Sequence, residues 1–267
     1  MFSAARMNSR RANPSSRDDP AEVRRMIPLL EPLFRGELAV HGEKLQCADT
    51  VPAGAVRVAD LAQSPALLAD VLQRNARFRG VAGADWRPVA SAWSLEYIAM
   101  LLPPVMAAAS MLQHVFPIAA EHTWVRLDAH GGPVGFHIRH LGRPRHGADA
   151  AERYAPLLWQ HLAPLFEALS GLTRLAPKIL WSNTVRLMEP VFDVALAATG
   201  GAPSISQDRQ LLLHSATWPH DLRANPLHGR QRNHAVKLHR ECCLNYLLPH
   251  EHHCNACPLA PAHRGLA

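Results

Sequence analysis

Four cysteines lie close together near the C-terminal end of this 267-residue chain, and they constrain how that end can fold. Two are adjacent, Cys242 and Cys243, and two follow ten residues later as a Cys-x-x-Cys pair, Cys254 and Cys257. A Cys-x-x-Cys loop turns two thiolates toward one metal, and a second pair completes four ligands. Pro258 stiffens the exit from the last loop. The spacing therefore predicts a metal centre in this part of the chain.

The residues alone leave two kinds of centre open. Structural zinc is favoured by the cysteine count, but its usual ligand pairs have two or more residues between their cysteines. Neighbouring side chains tend to diverge, so Cys242 and Cys243 form a strained chelate around a single ion. A two-iron cluster presents its ligand positions over a wider span and accepts an adjacent pair more readily. This argument favours an iron–sulfur cluster modestly and leaves zinc open.

The cysteines and their neighbours resemble the C-terminal signature of the FhuF-type ferric-siderophore reductases. The matching residues are Arg240, Cys242, Cys243, Leu244, Tyr246, Cys254, Cys257 and Pro258. The resemblance implies that the four cysteines hold a 2Fe-2S cluster and that the protein reduces iron(III) in hydroxamate siderophores in the cytoplasm. Upstream, residues 180–183 are similar to a Trp- and Asn-bearing helix of the family, and the region around His130 is similar to another shared segment.

The implied reaction agrees with the chemistry of iron chelates. Hydroxamate oxygens are hard ligands that suit iron(III) far better than the softer iron(II), so one added electron loosens the chelate. A 2Fe-2S cluster carries one electron at a time. The resemblance therefore implies a ferric-siderophore reductase whose cofactor ligands are Cys242, Cys243, Cys254 and Cys257, with no catalytic residue beyond the cluster. The alternative is a non-catalytic siderophore-binding or sensor protein that holds an iron–sulfur cluster or is stapled by zinc.

The electrons are expected to come from a separate protein. The chain has no Gly-x-Gly-x-x-Gly after a strand and no phosphate loop, which argues against a nicotinamide or flavin site of its own. A ferredoxin or a flavin reductase is the expected donor. Basic residues near the cysteines would steer an acidic donor or an anionic chelate, or simply solvate this region. They are Arg230, Arg232, Lys237 and Arg240. The N–H groups of Arg240 and His239, beside the cysteines, are also expected to raise the reduction potential of a cluster.

The charge pattern argues against a nucleic-acid partner. The net charge is +6, but residues 1–17 contain four arginines and no acidic residue. The rest of the chain has 24 basic and 22 acidic residues, so it is nearly neutral. Residues 1–19 are predicted to be a disordered leader. No run of 18 apolar residues and no secretory signal is present, so we predict a cytoplasmic protein with no transmembrane segment and with reduced cysteines.

Apolar residues at three- and four-residue intervals predict a mainly helical body. Prolines interrupt helices, so Pro103 and Pro104 are expected to separate two of them. Asp149 is expected to cap another. The predicted helices cover 20–34, 60–78, two segments within 86–116, 149–172, 177–198 and 205–214.

Residues near 123–139 change to a period of two and predict a β-hairpin. Its outward side chains form either a solvated polar face or a substrate surface. They are Arg126, Asp128, His130, His137 and Arg139. The predicted fold class is therefore α+β: a mainly α-helical body over residues 20–217 with a central β-hairpin or small antiparallel sheet, and a C-terminal iron–sulfur module over 218–267 that docks on it.

Overall fold

A computed structural model describes residues 26–231 and 238–263 and has an α+β architecture, as predicted. The helices are α1 Ala39–Gly42, α2 Val58–Gln63, α3 Pro65–Phe78, α4 Arg87–Met106, α5 Ala150–Leu157, α6 Ala163–Thr173, α7 Pro177–Ala198 and α8 Pro203–His214. The strands are β1 Leu45–Cys47, β2 Val56–Arg57, β3 His114–Val115, β4 Thr123–Leu127, β5 Pro133–Ile138 and β6 Arg143–Pro144. The predicted leader, residues 1–19, lies outside the described residues.

The sheet beside the helices has four strands in the order β1-β5-β4-β2. The hairpin prediction is confirmed, because β4 and β5 pair antiparallel with Val125 opposite Phe136, and both side chains are fully buried. The sheet is not purely antiparallel as predicted, because β1 pairs parallel to β5. Parallel pairing requires a long connection, which α2, α3, α4 and β4 provide between these two strands. Short strands so distant in sequence leave no local signal of their pairing.

The hairpin turn is fixed against the helices. Asp128 Oδ1 accepts a hydrogen bond from the backbone N–H of Gly132 at 2.8 Å. Gly131 adopts φ +74°, and a Cβ there would lie 2.4 Å from the carbonyl oxygen of Val71 on α3. The indole N–H of Trp93 on α4 donates to the Gly131 carbonyl at 2.9 Å. A glycine is required at this close approach of the turn to α3 and α4.

The polar residues of the hairpin mainly bind neighbouring backbone and side chains. His137 is 2% exposed and donates from Nε2 to the carbonyl of Ala48 at 2.9 Å. Arg139 donates from Nε to the carbonyl of Asp49 at 3.1 Å. His130 stacks on Phe78 with ring centroids 4.4 Å apart. These contacts give the face a structural role.

The longest apolar segment is one helix, so the predicted break at Pro103 and Pro104 is wrong. Helix α4 runs through both prolines and continues into a π-helical turn, Ala107–Met111. The prolines remove two N–H donors near the end of the helix, while the side chains around them, such as Leu102 and Met106, are buried in the core. Burial of this apolar surface outweighs the local loss of hydrogen bonds.

Among the described residues, Arg87–Met111 alone is long and apolar enough to span a membrane by length and composition. In this fold, 67% of its most apolar 18-residue window is buried inside the protein. Core helices of globular proteins meet the same criterion, so the helix is weak evidence for a membrane span.

Two other helices fulfil their sequence predictions. The Asp149 side chain caps α5 by accepting from the N–H of Glu152 at 2.9 Å. Helix α7 begins at Pro177 and ends at Ala198, as the periodicity indicated. By contrast, residues 26–34 of the helix predicted over 20–34 form turns, although Leu30 there is fully buried. Residues 20–25 of that prediction lie outside the described residues.

A π-helical segment, Leu158–Leu162, joins α5 to α6 and carries a fully buried histidine. His161 Nδ1 donates to the Ile118 carbonyl at 2.5 Å, and Nε2 accepts from the Tyr97 hydroxyl at 2.6 Å. Burial lowers the pKa of His161 from 6.5 to about 4. The imidazole is therefore neutral in the folded protein at neutral pH.

We expect His161 to make the protein less stable as the pH falls from 6.5 toward 4. In that window the unfolded chain binds a proton that the folded protein does not, which costs up to about 1.4 kcal/mol per pH unit. His161→Gln retains a donor and an acceptor but cannot titrate, so its unfolding free energy should fall less over this window. Urea unfolding of both proteins across the window tests this. An equal pH dependence of the unfolding free energy in the wild type and in His161→Gln would contradict this prediction.

Candidate metal centre

The four C-terminal cysteines lie on two loops that meet. Cys242, Cys243 and Cys257 are buried, whereas Cys254 is exposed. The sulfur atoms of Cys242 and Cys257 are 3.4 Å apart. The backbone N–H of His239 donates to the Ala256 carbonyl at 2.8 Å and ties one loop to the other. The fold thus brings together cysteines from both halves of the motif.

Backbone N–H groups point at three of the sulfur atoms. Leu244 N–H donates to Cys242 Sγ at 3.3 Å. The N–H groups of Asn245 and Ala256 likewise favour the thiolate forms of Cys243 and Cys254. Each donor lies two residues after its cysteine, so the loop conformation itself supplies the bond. Such donors stabilise negative charge on sulfur, as metal-bound thiolates require.

The first cysteine loop is packed on the body at the start of α4. Leu248 forms a small apolar cluster with Ala76, Val89 and Ala92. The 3₁₀ turn that precedes it, Asn245–Leu247, also contacts α4. This packing holds the adjacent cysteines at a fixed place on the helical body.

Two basic side chains of α7 hold the same loop at Glu241. Arg186 Nη2 donates to the Glu241 carbonyl at 2.9 Å. Lys178 Nζ lies 3.3 Å from the Glu241 carboxylate. The positive charge of Arg186 also acts on the Cys243 thiol and lowers its pKa, and Arg186 Nε is buried with no hydrogen-bond partner among the described residues. Arg186 therefore presents its guanidinium to the cysteines.

The two adjacent cysteines differ in the direction of their pKa shifts. The interaction with Cys242 lowers the pKa of Cys243, and the charge of Arg186 lowers it further. The interaction with Cys243 and then burial raise the pKa of Cys242. The surroundings therefore favour the thiolate at Cys243 over the thiolate at Cys242. Binding all four sulfurs as thiolates requires further positive charge, which a metal centre would provide.

The residues present fit a thiolate-ligated metal centre. Four cysteines, N–H donors to sulfur and a buried guanidinium N–H match what zinc or an iron–sulfur cluster requires. Within residues 26–231 and 238–263, no three Cys, His, Asp or Glu side chains are already gathered as a site for one ion. The contact that the fold itself makes within the candidate centre is therefore the one between the sulfur atoms of Cys242 and Cys257.

Sequence reasoning did not assign a role in the metal centre to Arg186. The available signal was its position on the polar side of the 177–198 helix, one turn after Asn183. Of the basic residues expected near the cysteines, Arg240 is exposed and Arg230 donates to the Pro226 carbonyl at 2.6 Å. The other two, Arg232 and Lys237, lie outside the described residues.

The model of the family described as "Ferric iron reductase FhuF-like transporter" matches residues 91–244, more than half of the chain. The chain belongs to this FhuF-like family. The matched region includes most of α4, the hairpin, α7 and the adjacent cysteine pair, and the predicted FhuF-type resemblance is confirmed.

A ferric siderophore reductase of Escherichia coli strain K12 is 24% identical over 244 residues. The alignment covers 87% of this chain and 91% of that protein. Among solved structures, ATP-bound aerobactin synthetase IucA of Klebsiella pneumoniae gives a TM-score of 0.51 at 16% identity over 66% of this chain. A second structure of the same synthetase gives a TM-score of 0.50. This chain spans only 37% of the ATP-bound synthetase, and the likeness concerns the fold alone.

We expect Arg186→Gln to loosen the first cysteine loop. A hydrogen bond from a charged donor contributes about 1.5–3 kcal/mol, and partial exposure lowers this to about 1 kcal/mol. Hydrogen exchange of the backbone amides in residues 239–248 should therefore quicken about fivefold. The amides of β4 and β5 should be unchanged.

Lys178→Gln is the matched control, because it removes a charge from Glu241 without removing a hydrogen bond to the loop backbone. Equal acceleration in both variants would show that charge alone, and not the Arg186 hydrogen bond, holds the loop.

Proposed function

We propose that the protein is a ferric-siderophore reductase that delivers one electron to iron(III) from a 2Fe-2S cluster held by Cys242, Cys243, Cys254 and Cys257. The observation that carries this proposal is the meeting of two cysteine loops, with the sulfurs of Cys242 and Cys257 in contact, in a chain of the FhuF-like family. The named reductase of Escherichia coli, aligned over most of both chains, supports the same assignment.

When bound, the cluster supplies a one-electron donor whose potential depends on hydrogen bonds and solvent exposure. The chain sets both properties. Three cysteines are buried, which limits water around their sulfurs, and Cys254 is exposed, which gives partners access from one side. The Arg186 guanidinium and the loop N–H groups stabilise added negative charge at the thiolates.

The substrate in this proposal is a hydroxamate siderophore, and the reaction occurs in the cytoplasm. One electron converts iron(III) to iron(II), for which hydroxamate oxygens are poor ligands, so the metal dissociates. The electron comes from an external ferredoxin or flavin reductase. Exposed cations beside the cysteine loops, among them Lys178 and Arg240, suit an acidic donor.

A second candidate is a zinc-stapled siderophore-binding protein without turnover. The 3.4 Å contact between the sulfurs of Cys242 and Cys257 favours it, since two ligands of one tetrahedral ion lie close together. The adjacent cysteine pair argues against a single ion, because neighbouring side chains diverge.

We expect the chemically reduced protein to release iron(II) from a ferric trihydroxamate, measured with a colorimetric iron(II) chelator. Cys257→Ser, which removes one buried thiolate ligand, should reduce this activity at least about 100-fold. Cys47→Ser is the matched control, since Cys47 lies on β1, outside the cysteine loops, and should retain activity. No iron(II) release by the wild-type protein would contradict the proposal.

We expect Arg186→Gln to make the reduction potential more negative, because the reduced centre loses a cationic hydrogen-bond donor. A shift of about 60 mV corresponds to a tenfold change in a one-electron equilibrium. Arg186→Lys keeps the charge but loses the planar donor group, so its shift should be smaller. A redox titration followed by visible absorption measures the potentials, and unchanged values in both variants would contradict this role.

A further inference from the structure

We propose that the ferric chelate binds in a cleft between the start of α4 and the end of α6. This inference rests on the proposed function and names its substrate site. The cleft has a volume of about 660 Å³, within the range of small-molecule sites. It is lined by Ala84, Asp85, Trp86, Arg87, Leu172, Thr173 and Arg174.

One wall of the cleft continues directly into the contact with the first cysteine loop. Arg87 begins α4, and Val89 in the same helical turn packs against Leu248 of that loop. Tyr246 lies in the 3₁₀ turn Asn245–Leu247 of that loop, which contacts α4. Tyr246 in turn stacks on His253, the residue before Cys254, with ring centroids 4.1 Å apart. Packing contacts therefore connect this wall to both pairs of cysteines.

The other wall leads to the same loop. It consists of the end of α6 and Arg174, which caps that helix with φ +61°. Four residues later, Lys178 in the first turn of α7 pairs with Glu241, immediately before the adjacent cysteines. The cleft is thus flanked on both sides by elements that touch the cysteine loop. A chelate bound there would lie beside the metal centre.

The lining suits a neutral or anionic hydroxamate chelate. Trp86 and Leu172 offer apolar surface for the ligand backbone. The exposed Arg174 guanidinium offers donors for hydroxamate or carboxylate oxygens. Arg87 is held by Asp85 through hydrogen bonds of 2.8 and 2.6 Å, which fixes its orientation at the cleft edge.

A larger polar cleft of about 840 Å³ near Trp124 is a poorer choice. Trp124 lies near the start of β4, and the turn after β4 contacts α4 at Trp93. The cysteine loop contacts the start of that same helix. The polar cleft and this turn therefore lie toward opposite ends of β4, which is about 17 Å long. The turn, and not the cleft, lies at the end nearer the cysteine loop. Its Arg139 is also bound to the carbonyl of Asp49.

Two variants test the site in the cluster-loaded protein. Ala84→Trp fills the cleft from an exposed position, and Arg174→Gln removes a donor. The matched controls are Gln63→Trp and Arg139→Gln in the polar cleft. The probe is gallium(III) ferrichrome, a neutral trihydroxamate whose metal is not reduced, titrated by calorimetry. Reduction of ferrichrome and the reduction potential are measured in parallel.

We expect each cleft variant to weaken gallium(III) ferrichrome binding and to lower kcat/KM at least tenfold, with the potential unchanged and both controls like the wild type. Unaltered binding in both cleft variants, a shifted potential, or an equal loss in the controls would overturn the inference. The proposed function is judged separately. If the wild type binds the gallium chelate in this cleft but releases no iron(II), the reductase proposal fails while the site remains.

Discussion

The proposed metal centre depends on how a short, irregular segment is held against the helical body. Arg186 of α7 donates to the Glu241 carbonyl at 2.9 Å and so fixes the loop. Its charge also favours the thiolate form of Cys243. Leu248 anchors the other end of the same loop on α3 and α4. Between these two anchors, the adjacent cysteines have little freedom to move apart.

The body provides rigid attachment points for these anchors. Helix α4 packs on the sheet, on α3 and on α7, and it stays continuous despite two prolines. The hairpin turn is locked to it by the Trp93 hydrogen bond to Gly131. The Tyr97–His161 bond crosses the core from α4 to the π-helical segment.

The sequence predicted those features that depend on local patterns. Helix α7, the Asp149 cap and the β4–β5 hairpin follow from periodicity and turn chemistry over a few residues. The break at the two prolines was wrong because burial in the core, which no local pattern reports, decides whether a helix continues. The parallel pairing of β1 with β5 was missed for a similar reason, since strands of such short length carry little signal.

The candidate site also has one part that the sequence predicted and one part that only the fold brings together. The four cysteines were identified from their spacing, whereas Arg186 lies 55 residues before the Glu241 carbonyl that it binds. Only the fold brings the two together. The cleft beside Trp86 and Arg174 likewise joins segments that are distant in sequence. A periodic pattern could place Arg186 on a polar helix face, but it could not indicate what that face contacts.

The identity of the metal centre tests the account most directly. The protein should be purified without oxygen, its visible absorption recorded before and after dithionite, and its iron, labile sulfide and zinc measured. The account predicts a red-brown protein that bleaches on reduction and contains two iron and two sulfide per chain, as a 2Fe-2S cluster requires. A colourless protein with about one zinc per chain would contradict it.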